Sequence, residues 1–221
     1  MEDAMSFSFT VNLNLGETTS QARYSLTKLI AKEAINKKAM QKIYELQGLL
    51  EFLENKQLKT IVEIGTALGG TFYALCQIAP ADAKIISIDL PGGRFGGEFK
   101  IESSQIKKYA KEGQTVIFLR EDSHQESTKK QLISHLGGKK IDVLLIDGDH
   151  IYGGVKKDFE MYSPLVSKGG IIIFHDICFH PTVPECQVEK FWNEIKNTFE
   201  YKEIIDPQDK DWGGIGILIN N

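Results

Sequence analysis

The segment LLIDGDHIY, residues 144–152, carries an apolar run that stops at Asp147 and is followed at once by Gly148, Asp149 and His150. A second apolar run, residues 171–174, stops in the same way at His175 and Asp176. Carboxylates and imidazoles hold divalent cations and move protons near neutral pH. Taken singly, each has an ordinary role: an acid at a strand tip caps the next helix, and a histidine sits on the surface or is satisfied inside. Asp149 is the better placed of the two acids for such capping. Two strand tips that both end in acid and imidazole point instead to one shared site.

A third stretch, VEIGTALGGTFYAL (residues 62–75), reads as a strand, a glycine-rich turn and a helix. Gly65, Gly69 and Gly70 permit close backbone approach to a ligand, and the helix start offers free N–H groups around Thr66 and beyond. The spacing is GxxxGG, not the GxGxxG of a dinucleotide fingerprint. Glu63 before the first glycine disfavours a pyrophosphate and favours a cationic or amino-bearing ligand. An ordinary tight turn is the plain alternative. Asp89 ends the next strand, where one carboxylate can accept from both hydroxyls of a ribose. Asp122 and Ser123 end the strand after that and are candidates for the far side of the same ligand. The loop at residues 91–99, with four glycines around Arg94 and Phe95, reads as a mobile segment at the ligand edge.

These groups need elements to position them. From residue 60 onward apolar strands (60–66, 84–90, 115–122, 141–149 and 169–177) alternate with helices (69–79, 101–112, 125–136, 152–163 and 187–199). Near-continuous apolar strands separated by helices form a parallel sheet covered on both faces. Residues 201–206 and 214–220 are two strands joined by a short loop, so the last should run antiparallel. Upstream, residues 20–34 and 36–56 read as helices, and the strict alternation of residues 7–15 reads as a short strand with one buried face. That strand is expected to pair with the cap or across a subunit interface, and a homodimer is expected.

The bulk numbers restrict the function. The chain has 221 residues, enough for one α/β domain, and no linker or repeat divides it. Twenty-six basic against 30 acidic residues argue against nucleic acid as a partner. The N-terminal segment lacks the basic and apolar regions of a signal peptide, and no run spans a bilayer, so neither secretion nor membrane attachment is expected. Three widely spaced cysteines, Cys76, Cys178 and Cys186, suit a reducing cytoplasm better than a disulfide framework.

The E-x-G turn, the Asp after the second strand and the terminal hairpin resemble the class I S-adenosylmethionine-dependent methyltransferases over residues 60–221. Ala67, standing where that family most often has a second glycine, departs from its pattern. The resemblance implies a doubly wound, mostly parallel α/β sheet of seven strands, order 3-2-1-4-5-7-6 with the last antiparallel. A cap at residues 1–58 would precede a Rossmann-like domain at 59–221. It implies S-adenosylmethionine on Glu63, Gly65, Thr66, Gly69, Gly70 and Asp89, with Asp122, Ser123 and Asp147 around it. In the family's strand order the fourth and fifth strands are neighbours, which brings Asp147 to His175 and Asp176 beside the sulfonium. That arrangement is similar to the metal-dependent O-methyltransferases of sugars and natural products. The similarity implies a divalent cation, Mg2+ above others, on Asp147, His175 and Asp176, with His150 as base beside Asp147. His175 departs from the acid more usual there and leaves manganese or iron open. The expected reaction is methyl transfer to a hydroxyl of a small acceptor. The competing readings are a metal-dependent hydrolase built on Asp147, His150, His175 and Asp176, and a non-catalytic nucleotide-binding module.

Overall fold

A computed structural model describes residues 19–56, 58–90, 92 and 101–221. The alternating segment at residues 7–15 and most of the glycine-rich loop at 91–99 lie outside the described residues.

Two helices lead the described chain, α1 (Thr19–Asn36) and α2 (Ile43–Leu53). The second starts later than its apolar stripe suggests. Lys38 adopts a left-handed φ of 69°. This turns the chain so that residues 37–42 form a connection, not a first helical turn.

The sheet follows: β1 (Thr60–Ile64), β2 (Lys84–Ile88), β3 (Thr115–Leu119), β4 (Ile141–Ile146), β5 (Val166–His175), β6 (Glu200–Ile204) and β7 (Ile215–Ile219). Five helices separate them: α3 (Gly70–Ile78), α4 (Ser103–Lys107), α5 (Glu126–Leu136), α6 (Tyr152–Tyr162) and α7 (Val188–Ile195). The strand order is β3-β2-β1-β4-β5-β7-β6, as expected, and β7 runs antiparallel to both neighbours. Helix α4 is shorter than the expected 101–112. A capping box between Glu102 and Gln105 starts it, and Ile106 is its one buried side chain, so little apolar surface rewards a longer helix.

One face of the sheet packs Val62, Ile86, Leu144, Ile172 and Phe174 against α5, α6 and α7 through Leu132, Val155, Phe191 and Trp192. The other packs Ile61, Ile85, Val143, Leu145 and Ile173 against α2 and α3 through Leu49, Leu53, Phe72 and Leu75. Because side chains alternate across a strand, these continuous apolar runs fill both layers. Helices α1, α2 and α3 share a third cluster of Ala31, Ala34, Leu46, Leu50 and Ala74. A Cβ on Gly70 would stand 2.0 Å from the Ala39 nitrogen, so the α1–α2 connection lies directly on the start of α3.

Candidate active site

The switch in chain direction at β1 and β4 opens a crevice at the carboxyl edge of the sheet. Backbone pairing fixes its floor: the Asp147 nitrogen donates to the Ile64 carbonyl at 2.8 Å, and the Gly65 nitrogen to the Ile88 carbonyl at 2.9 Å. Gly65 has a φ of 85°, and a Cβ there would fall 2.0 Å from the Asp147 carbonyl oxygen. Glycine is therefore required where the first turn passes β4.

A cavity of about 290 Å³ occupies the crevice. The turn contributes Gly65, Thr66, Ala67, Gly70 and Thr71, and the strand tips contribute Asp147, His150, His175 and Asp176. Met40 and Gln41 of the cap, His180, Cys186 and Trp212 complete the wall.

The four ionisable groups at the tips of β4 and β5 meet. His150 Nε2 lies 3.3 Å from Asp147 Oδ1, and its Nδ1 lies 3.2 Å from Asp176 Oδ2. His175 Nδ1 is 3.3 Å from Asp147 Oδ1 and 3.4 Å from Asp176 Oδ2. Burial alone would push both imidazoles down. For His150 the hydrogen bonds to Asp147, Asp176 and Cys186 outweigh it, and for His175 the charges of Asp176 and Asp147 do, so both rise well above the ordinary imidazole range. Burial likewise opposes ionisation of the acids, yet the His175 charge and the hydrogen bonds from both histidines hold Asp147 below and Asp176 well below the usual carboxylate range. Each imidazole thus faces both carboxylates, and each pair favours the charged forms of its members. Asp176 pays in backbone strain for its place, with a non-glycine φ of 60°.

The donor set suits a cation. Asp147, His175 and Asp176 each offer a ligand atom, all within 4.8 Å of one another. His175 Nε2 is buried without a hydrogen-bond partner. A metal there would compete with protons for the same donors.

The glycine turn after β1 is also organised by acids. Glu63 is fully buried; its Oε2 accepts from Thr66 Oγ1 at 2.7 Å, while Oε1 has no partner. Burial first, and the charges of Asp147 and Asp89 with it, push this carboxyl well above the usual range. An orphan buried acceptor at the turn suits an arriving ammonium group, which would reverse that shift. Asp89 Oδ1 accepts from the backbone N–H of Thr66 at 2.9 Å and of Ala67 at 3.2 Å, and Oδ2 pairs with Arg120. A ribose at Asp89 would therefore share the carboxylate with the turn and the guanidinium. Ala67, the departure noted in the sequence, takes a φ of 45°, a left-handed conformation that the missing glycine would have adopted without strain.

Asp122, Ser123, Asp149 and Gly69 do not line the cavity and have local duties. Asp122 accepts from the His124 backbone N–H at 2.8 Å and from Gln125 Nε2 at 2.9 Å, and the Ser123 carbonyl accepts from Tyr162 Oη at 2.5 Å. Asp149 accepts from the Ile151 N–H at 3.1 Å, just ahead of α6. Gly69, at φ 81°, lets the chain enter α3.

Four contributors have no sequence signal of their own. Gln41 Nε2 donates to Asp147 Oδ2 at 2.7 Å, and its Oε1 accepts from Thr71. Arg120 is recognisable only once β2 and β3 are paired. Trp212, on the β6–β7 loop, is held by Lys42 Nζ, which donates to the Trp212 carbonyl at 2.8 Å and stacks on its ring. Cys186 reaches the wall on the loop before α7.

Residues 62–177 match the family model of the methyltransferase domain. The chain is 32% identical over 153 residues to uncharacterized protein R132 of Acanthamoeba polyphaga mimivirus, covering 69% of this chain and 66% of that protein. It is 30% identical over 121 residues to uncharacterized protein y4gI of Sinorhizobium fredii, covering 53% of this chain and 13% of that protein. The chain thus spans less than two thirds of either relative. Its fold is similar to that of the O-methyltransferase TomG of Streptomyces achromogenes, solved in complex with SAM, at a TM-score of 0.57 and 15% identity over 93% of this chain and 91% of that one. With its glycine turn, its switch-point cavity and its antiparallel seventh strand in place, the chain belongs to the methyltransferase-domain family and has the class I fold of the S-adenosylmethionine-dependent methyltransferases.

Proposed function

We propose that this protein transfers the methyl group of S-adenosylmethionine to a hydroxyl oxygen of a small acceptor, a sugar or natural product, beside a divalent cation. The observation that carries this reading is the convergence of Asp147, His150, His175 and Asp176 on the cavity whose opposite wall is the glycine turn. A hydrolase reading would use the cluster and leave the turn, Glu63 and Asp89 idle.

Glu63, Gly65, Thr66, Gly69, Gly70 and Asp89 hold the cofactor in this reading, with Asp122 and Ser123 at its far side. Asp147, His175 and Asp176 hold the cation. The cation, when bound, lowers the pKa of a coordinated hydroxyl and orients it. His150, in its neutral form, takes the acceptor's proton on one ring nitrogen, while the carboxylate facing the other nitrogen fixes the ring; turnover therefore rises as pH climbs through the raised His150 pKa. The Gln41 bond to Asp147 Oδ2 keeps that carboxylate turned toward both histidines. The walls hold the acceptor oxygen and the methyl donor in line, which is where most of the rate gain in such a displacement arises.

A cytoplasmic homodimer completes the proposal. Free cysteines support the compartment, and the exposed Leu26 and Leu29 on α1, at 51% and 54%, support association. Among the described residues no helix is long and apolar enough to cross a membrane.

Calorimetry with S-adenosylmethionine, with and without Mg2+ or Mn2+, tests the central claim. Binding without added metal is the expected result. No binding under either condition would remove the methyltransferase reading.

A further inference from the structure

A second set of donor atoms lies against the reaction site. His150, Asp176 and Cys186 each present a ligand atom, all within 4.8 Å of one another. The Cys186 thiol is hydrogen-bonded to His150, and His150 Nδ1 is 3.2 Å from Asp176 Oδ2. The three come from different elements: the tip of β4, the tip of β5 and the loop before α7. That loop is fastened to the others. The Gln187 backbone N–H donates to the His150 carbonyl at 2.7 Å, and Gln187 Oε1 accepts from the Tyr152 N–H at 3.4 Å. Within the loop, Cys186 N–H donates to the Val183 carbonyl at 2.9 Å. The thiol is thus placed by backbone bonds on both sides.

We propose that His150, Asp176 and Cys186 form a thiolate–imidazole–carboxylate site for a borderline-soft cation such as Zn2+, and that its occupation switches methyl transfer off. Three protein ligands of these types, with the remaining position facing a cavity, match the open form of a zinc site. A thiolate selects Zn2+ over Mg2+. All three residues line the cavity, so an ion has a path to them. Binding takes the proton from the thiol and from His150 and delivers both to solvent, with no change of oxidation state. The switch-off rests on the function proposed above: His150 would lose the lone pair that accepts the acceptor's proton, and Asp176 would be drawn from the set it shares with Asp147 and His175. The metal site itself does not depend on that reading.

Titration of the full chain with Co2+ as a spectroscopic stand-in for Zn2+ tests the site without any acceptor. A thiolate-to-cobalt charge-transfer band in the near ultraviolet is expected. It should vanish in Cys186→Ser and in Cys186→Ala and persist in Cys178→Ser. Zn2+ affinity by calorimetry should fall at least about tenfold in either Cys186 variant, because a direct ligand is lost. Far-ultraviolet circular dichroism and a thermal midpoint near the wild-type value show that the variants are folded. No thiolate band in the wild type, a band that survives both Cys186 variants, or unchanged Zn2+ affinity would each overturn the site. On a found acceptor, Zn2+ should inhibit the wild type and spare Cys186→Ser; equal inhibition of both would overturn the switch. Failure of the wild type to bind S-adenosylmethionine sinks the methyltransferase reading instead and leaves the cobalt result intact.

Discussion

Gln41 Nε2 lies 2.7 Å from Asp147 Oδ2, a hydrogen bond between residues 106 apart in sequence. One amide therefore ties the α1–α2 connection to the tip of β4, and through Thr71 to the start of α3. Gln41→Leu would leave a largely buried carboxylate oxygen without its donor. We expect a loss of about 1–3 kcal/mol in urea unfolding, the usual cost of an orphaned buried polar group. An unfolding midpoint equal to wild type would show that the bond is dispensable.

Asp89 has two duties that two substitutions separate. Asp89→Ala removes the acceptor for the Thr66 and Ala67 N–H groups along with the Arg120 partner, and S-adenosylmethionine binding should weaken at least about tenfold, or about 1.4 kcal/mol. Asp89→Asn keeps an oxygen for the turn and loses the charge, so its affinity should fall between the two. Calorimetry on folded proteins reads both, and wild-type affinity in Asp89→Ala would remove Asp89 from the cofactor site.

The cation and base roles fail differently. Asp147→Ala should abolish metal-dependent turnover while S-adenosylmethionine affinity stays close to wild type, since the turn after β1 and the tip of β2 build that pocket. His150→Ala should retain the Asp147, His175 and Asp176 donors and lose about 10²–10⁴ in turnover. A screen of sugars and phenols with labelled methyl donor supplies the assay. Turnover that continues undiminished in EDTA would eliminate the cation.

Gly70→Ala should act on the cap. The added methyl would lie 2.0 Å from the Ala39 nitrogen and 2.6 Å from the Ala34 carbonyl, both backbone atoms that cannot swing aside. Overpacking of this kind costs about 1–3 kcal/mol. Limited proteolysis should cut within residues 37–42 faster than in wild type, and an unchanged cleavage rate there would contradict the packing described.

His124 makes stability depend on pH away from the tips of β4 and β5. Its Nε2 lies 3.3 Å from the buried Asp158 carboxylate and 3.2 Å from the Gly154 carbonyl, and the pairing with Asp158 leads the effects that raise the imidazole above its ordinary value. A raised folded pKa means the proton is bound more tightly in the native state. The stabilisation is therefore complete below the ordinary pKa of about 6.5 and is lost as pH climbs through the higher folded value. Thermal midpoints of wild type and His124→Gln, compared at pH 6 and pH 9, should differ most at pH 6. A constant difference across that range would mean the pair carries no linkage.

The alternation of apolar strands with helices made the parallel sheet legible, because a strand buried on both faces has no polar positions to spare. The short loop between the last two strands likewise forced the antiparallel end. Strand-tip acids and imidazoles at 147, 150, 175 and 176 stood out because ionisable groups interrupt otherwise apolar runs. Boundaries were less legible: α2 starts at Ile43 instead of near residue 36, since the left-handed Lys38 and the packing of Ala39 on Gly70 override local helix preference.

What the sequence alone determined was the set of elements from residue 60 onward and the glycine turn, which follow from periodicity and from steric rules acting over a few residues. What only the tertiary structure decided was who meets whom at the site. Gln41 meets Asp147 because the cap folds across α3. Arg120 meets Asp89 because β3 pairs with β2. Cys186 meets His150 because a backbone bond from Gln187 draws its loop to the tip of β4. Each of these contacts joins residues far apart in the chain, and no local pattern encodes a partner that chain closure alone brings near.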